Sequence, residues 1–313
     1  MKVIKTTFSI ILIALIATFI IFNKQIIEYV NDNYVHIKDK EIYIEKNEYA
    51  KEVDYSFVQI DNSFKVKNYQ DLLNSFYTIL DSGEDDFTFY CDKEYKECID
   101  DINKIISSDE ENDTMAELNN FVHPYNTYKN IVVTTNNYGK INVKFEKIYT
   151  EEMINEIEEY INNFISENIT DDMDNYQKIK LFHDYIINNT KYDIERADDV
   201  NSEQYKDSPS HTAYGIVKNH VALCGGYSDI MAIYLNKLNI KNIKIAAKLH
   251  VWNLVYFNDE WLHLDVTWDD PVTNTGKDLL INEYFLITTD TLLKLDNVEH
   301  LFDELIYIEA KNK

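Results

Sequence analysis

Apolar positions along the chain change their spacing several times, and each change marks an element. Residues 6–22 (TTFSIILIALIATFIIF) are apolar or hydroxyl-bearing and carry no charge. As a helix they would span about 26 Å, slightly short of a bilayer's hydrocarbon thickness. Lys2 and Lys5 precede the run, and Lys24 follows it, where a long side chain can snorkel to the far interface. Phe19-Ile20-Ile21-Phe22-Asn23-Lys24 offers no small-x-small cleavage site, so residues 1–33 are expected to form an uncleaved transmembrane anchor and its linker. A cleaved signal peptide is the alternative. Either way, the basic start keeps the N-terminus inside and places the bulk of the chain outside the cytoplasm.

Residues 34–65 alternate apolar and polar in the manner of short strands. Residues 69–80 (YQDLLNSFYTIL) have helical spacing, closed by Gly83 as a C-terminal cap. A strand is expected over 87–90, a helix over 98–106, and a hairpin pairing 130–135 with 140–148 around Asn137-Tyr138-Gly139. Residues 34–149 thus form a small membrane-proximal α+β domain, with His123 a turn or core residue. From residue 150 onward helices dominate, the first over 151–165 with acidic residues at its positive end. A second covers 174–189, opened by the Asp174/Gln177 capping box and striped by Ile179, Phe182, Tyr185 and Ile186. Residues 195–210 (ERADDVNSEQYKDSPS) are polar and predict a surface loop.

Composition narrows the class. With 313 residues, 45% of them hydrophobic and 13% aromatic, the chain has enough apolar surface for a substantial core. Against 30 Lys+Arg stand 55 Asp+Glu, a net charge of −25, and Arg196 is the sole arginine. A phosphate backbone would be repelled, so no nucleic-acid partner is expected. Three cysteines exclude a disulfide-dense scaffold, and neither HExxH nor paired CxxC is present, so no metal and no cofactor are expected. Cys91 and Cys98 suit a disulfide in an exported domain, or remain two thiols on a strand end and a helix. Cys224 has no evident partner.

Cys224 precedes Gly225-Gly226 and a helically spaced run from Ile230 to Leu238. A thiol at a helix N-terminus meets free N–H groups and the positive end of the dipole, which favour thiolate and can stabilise an oxyanion. A small buried hydrophobe under a helix is the plain alternative. Downstream, LHVWNLVYFNDEWLHLDVTWDDP reads as two alternating runs around Asn258-Asp259, an antiparallel hairpin. A two-residue turn pairs Phe257 with Glu260 and Trp252 with Asp265. One face then holds Val251, Val255, Leu262, Leu264 and Val266, with Asn253 its awkward member. The other holds His250, Trp252, His263 and Asp265, and puts His250 within side-chain reach of Asp265. A slip of one residue would send Asp265 to the opposite face. Cys224, His250 and Asp265 then supply a nucleophile, a base and an orienting group. Gly225, Trp252, His263 and Trp268 are candidates for the substrate pocket. For His263 a hydrogen-bonded strand histidine is the preferred reading, and Asp269-Asp270-Pro271 reads as a strand-ending turn.

Residues 178–271 resemble the transglutaminase-like superfamily, in particular its bacterial exported members. The resemblance rests on KLFHDYIINNTKYD, SHTAYGIVKNHVALCGGYS, HVWNLV and WLHLDVTWDDP, and covers about a third of the chain. It implies a papain-like α+β fold, with helices packed on an antiparallel sheet over 150–313. It further implies a Cys-His-Asp triad of Cys224, His250 and Asp265 and acyl transfer through a thioester. Gly225 departs from the polar residue, and Leu249 from the glycine, that many such proteins carry. The expected substrate is a protein or peptide at the cell surface, its amide passed to water or to an amine. A non-catalytic exported binding module with the same fold is the rival. Animal members depend on calcium, but no calcium loop is recognisable here and none is expected.

Overall fold

The computed structural model describes residues 44–45, 57–58, 65–107, 114–136, 138–197, 208–272, 279–303 and 306–307. The expected anchor and most of the alternating stretch 34–65 lie outside them. Among the described residues no helix is long and apolar enough to cross a membrane.

In the first half, strands β1 (Ile44–Glu45) and β2 (Phe57–Val58) pair antiparallel. Strand β3 (Lys65–Val66) leads into helix α1 (Tyr69–Ser82), which begins where the Asn68 side chain accepts the Asp71 N–H. The helix stops at Gly83, whose φ of 69° is left-handed and whose N–H reaches the Leu80 carbonyl. The chain returns as β4 (Asp86–Cys91), parallel to β3. Helices α2 (Cys98–Ile106) and α3 (Thr114–Asn120) follow, then the hairpin of β5 (Tyr128–Thr135) and β6 (Lys140–Lys147). The sheet runs β3-β4-β6-β5. A disulfide joins Cys91 at the end of β4 to Cys98 at the start of α2, which settles the open alternative.

The second half opens with α4 (Glu151–Asn168) and α5 (Asn175–Asn189), the latter with both hydrogen bonds of the expected capping box. Short strands β7 (Lys191–Tyr192) and β8 (Val221–Ala222) pair in parallel, with α6 (Ile194–Ala197) and α7 (Ala213–Asn219) between them. Then come α8 (Cys224–Lys237), strands β9 (Asn242–Ala246), β10 (Val251–Phe257) and β11 (Glu260–Leu264), and α9 (Thr289–Leu295). Strands β9 to β11 make an antiparallel sheet with β10 at its centre. Asn258 and Asp259 close the β10–β11 hairpin with φ of 50° and 65°, the doubly left-handed turn that Asn and Asp tolerate. Its register runs from Phe257 opposite Glu260 to Asn253 opposite Leu264, as the alternation predicts.

Both faces of this sheet are covered. Val255, Leu264 and Val266 pack with Ile161, Phe182, Ile230 and Tyr234 of the helical layer. On the opposite face Ile243, Ile245, Trp252 and Leu254 join a core that includes Phe76 of α1, Ile102 of α2 and Leu118 of α3. Tyr284, Phe302 and Tyr307 from the C-terminal segment close that core. The sequence pattern assigns one face of the hairpin to the core and leaves the His250 face open. The structure buries it, because Trp252 and Leu254 present apolar area that is stabilised by removal from water. The first half of the chain supplies part of that cover. The architecture is mixed α+β, and the hydrophobic core runs across residue 149.

Candidate active site

Cys224 is the first residue of α8, partly exposed, and the free cysteine among the described residues. Two glycines behind it let the backbone pack closely. A Cβ on Gly225 would stand 2.6 Å from the His211 carbonyl oxygen, and one on Gly226 would stand 2.7 Å from that of Ser210. The turn Pro209–His211 therefore lies flat on the first turn of α8, fastened where the Leu223 N–H donates to the Ser210 carbonyl at 2.8 Å. Gly225 is thus a packing residue that faces backbone. The opening N–H groups of α8 lack helical acceptors and point toward the thiol's end of the helix.

His250 stands one residue before β10 and Asp265 one residue after β11, so the hairpin register brings them together. His250 Nε2 lies 2.5 Å from Asp265 Oδ2. The Cys224 thiol also acts on this imidazole and raises its proton affinity, while Nε2 is committed to Asp265. Burial alone would discourage charge on this ring. The Asp265 carboxylate and the contact with Cys224 outweigh that, and the His250 pKa rises to about 10. Burial likewise opposes ionisation of Asp265, yet His250 and His300 beside it hold its carboxyl well below the usual carboxylate range. Asp265 is fixed further by its Oδ1, which accepts the Trp268 N–H at 3.1 Å.

The remaining pocket candidates occupy different places. Trp252 is buried, lies parallel to the His250 ring at 5.4 Å between centroids, and donates from Nε1 to His263 Nδ1 at 3.0 Å. His263 is fully buried, and its Nε2 lies 2.9 Å from the Thr289 hydroxyl. Burial, with the charge of His300 adding to it, lowers its pKa to about 3. Neither side chain faces solvent, and His263 is a hydrogen-bonded strand histidine. Trp268 is only partly buried and packs beside His250. Asp269 contacts the buried His183 at 3.0 Å and accepts the Tyr284 N–H, while Asp270 accepts from the Tyr227 hydroxyl. These two carboxylates brace the fold.

Two features escaped the sequence reading. His300 brings its Nε2 to 2.9 Å from Asp265 Oδ2, the oxygen that His250 also contacts. Its only local signal is an aspartate four positions earlier, Asp296, in a segment without clear periodicity. His250, Asp265 and His300 place three potential metal-ligand atoms within 4.8 Å of one another, all of them engaged in these hydrogen bonds. The second feature is a cavity of about 500 Å³ beginning at Leu249, the neighbour of His250. Its walls combine Ala246, Ala247 and Lys248 with Glu117 of α3 and Leu301 and Phe302 of the C-terminal segment. Leu249 is 87% exposed at its edge.

Residues 162–266 match the family model described as the transglutaminase-like superfamily. No curated protein matches the chain. One solved structure, described as "Crystal structure of a TGase", is 14% identical, with a TM-score of 0.34 over 72% of this chain. The chain spans 65% of the length of that structure. The segment that holds Cys224, His250 and Asp265, residues 162–266, is a domain of the transglutaminase-like superfamily.

Proposed function

We propose that the chain is a thiol acyl-transfer enzyme acting on amide bonds of proteins or peptides at the cell surface, with Cys224 as nucleophile, His250 as acid–base and Asp265 as orienting group. The observation that carries this reading is a buried imidazole bonded to a buried carboxylate, its proton affinity raised in part by a partly exposed thiol at a helix start. In the reaction, the Cys224 thiolate attacks the amide carbonyl carbon while the developing oxyanion faces the opening N–H groups of α8. The proton on His250 passes to the leaving nitrogen, the C–N bond breaks, and an acyl thioester remains on Cys224. Water or an amine then attacks, His250 takes its proton, and the thiolate departs. Water makes the enzyme a protease or deamidase, and an amine makes it a crosslinking transglutaminase.

Iodoacetamide labelling across pH tests the site. Cys224 is expected to alkylate well below the free-thiol pKa of about 8.5, and His250→Ala is expected to remove that advantage. Labelling that follows an ordinary thiol's titration would favour a non-catalytic binding module. A screen of surface extracts that compares ammonia release with amine incorporation then distinguishes hydrolysis from crosslinking. Cys224→Ala is expected to abolish either activity with the fold intact, and residual turnover would mean a different nucleophile.

A further inference from the structure

His300 is fully buried and the proposed triad makes no use of it. Its Nε2 lies 2.9 Å from Asp265 Oδ2, and its Nδ1 lies 2.9 Å from Asp296 Oδ2. Ionised carboxylates only accept hydrogen bonds, so the ring satisfies both neighbours only with a proton on each nitrogen. Aromatic walls fix its plane. Tyr284 stacks on it at 5.3 Å with an interplanar angle of 15°, while Trp252 and Trp268 meet it edge-on at 4.9 and 4.8 Å. Asp296, the residue that ends α9, holds the ring from its outer side. Asp296 Oδ2 also accepts the backbone N–H of Glu299 at 2.8 Å and of His300 at 3.0 Å, so one carboxylate shapes the turn and aims the imidazole. Such a buried, doubly anchored imidazole is more than structure needs, because an apolar ring would fill the same aromatic cage without desolvating two polar nitrogens.

We propose that His300, aimed by Asp296, is a positioning residue for Asp265 and so sets the proton affinity of the Cys224–His250 pair. The proposal rests on the triad reading given above. Asp265 Oδ2 is shared by two imidazoles and its Oδ1 is tied to the Trp268 N–H, which leaves the carboxylate one orientation. Without His300, Asp265 keeps two of its three anchors and can rotate away from His250. The charged and titratable groups facing His300 are Asp265 and His250 from the hairpin, Asp296 from the end of α9, Tyr284 from the preceding loop, and His263, whose protonation the charge of His300 opposes.

The test measures the alkylation rate of Cys224 by iodoacetamide against pH in the parent protein, His300→Phe, His300→Gln and Asp296→Ala, with a thermal melt of each to confirm folding. His300→Phe fills the cage without a donor and is expected to move the acid limb up by about one pH unit, which is about a tenfold slower reaction below the limb. His300→Gln restores one N–H toward Asp265 and is expected to recover most of that loss. Asp296→Ala keeps the ring but removes its aim, and is expected to move the limb in the same direction as His300→Phe. The two variants remove opposite charges, so a pure field effect would move the limb in opposite directions and would overturn the proposal. Superimposed profiles for folded parent and His300→Phe would also overturn it, as would equal impairment in the Phe and Gln variants. If His300→Phe does not fold, Asp296→Ala and His300→Gln decide the matter. An ordinary thiol titration in the parent would remove the triad reading itself, and this proposal with it.

Discussion

At the scale of single residues, the site depends as much on what is missing as on what reacts. Gly225 offers no chemistry of its own, but its absent side chain lets the His211 carbonyl sit where a Cβ would be, 2.6 Å away. The carbonyl belongs to backbone pinned through Ser210 and cannot yield as a flexible side chain would. Gly225→Ala is therefore expected to cost about 1–3 kcal/mol, as overpacking does, and to disturb Cys224 next to it. Denaturant titration checks the first expectation and thiol labelling the second. Unchanged stability would mean that the Pro209–His211 turn shifts freely. The pair Gly225-Gly226 was legible as a loop-to-helix junction. The turn that lies across it was not, since no local pattern announces a backbone contact from residues 209–212.

At the scale of elements, the hairpin shows how far alternation reaches. Asn258-Asp259 and the apolar set Val255, Leu264 and Val266 fixed the register, and the register brought His250 to Asp265. Alternation cannot tell what covers the second face, because cover comes from segments distant in sequence. The element that carries His300 illustrates this. Residues 296–300 show no period, and their position follows from the Asp296 turn and an aromatic cage drawn from three other segments. The Cys91–Cys98 bridge belongs to the same scale, tying β4 to α2 across a separation of seven residues. Closing so short a loop stabilises through the unfolded state, and replacing both cysteines with serine is expected to cost about 2–3 kcal/mol. Equilibrium unfolding under non-reducing conditions measures this. A loss near zero would mean that the loop is ordered by its other contacts, such as the Tyr95 hydroxyl donating to Asp101.

For the whole molecule, the first half shares one apolar core with the β9–β11 sheet and the C-terminal segment, so events near the site are coupled to global stability. Its pH dependence follows from the buried histidines. His263 has a native pKa of about 3 against about 6.5 in an unfolded chain. As pH falls below about 6.5, the unfolded state binds a proton that the native state refuses, and stability is lost progressively toward pH 3. His250, raised to about 10, works at the other end. Its contribution is fully present below about pH 6.5 and is lost as pH rises through about 10. Denaturation midpoints are therefore expected to be highest between these limits, with His263→Gln flattening the acid side. An unchanged acid limb in that variant would place the acid sensitivity elsewhere, in carboxylates such as Asp265.

The sequence by itself determined the main local elements, the hairpin register, the thiol at a helix start and the nearness of His250 to Asp265. These are consequences of short-range sterics, periodic burial and capping hydrogen bonds, all of which act within a few residues. Only the tertiary structure decided that the His250 face would be roofed by α3 and the C-terminal segment, that a second imidazole would share Asp265, and that a cavity would open beside Leu249. Those outcomes depend on which distant apolar surfaces meet and on which buried polar atoms then find partners.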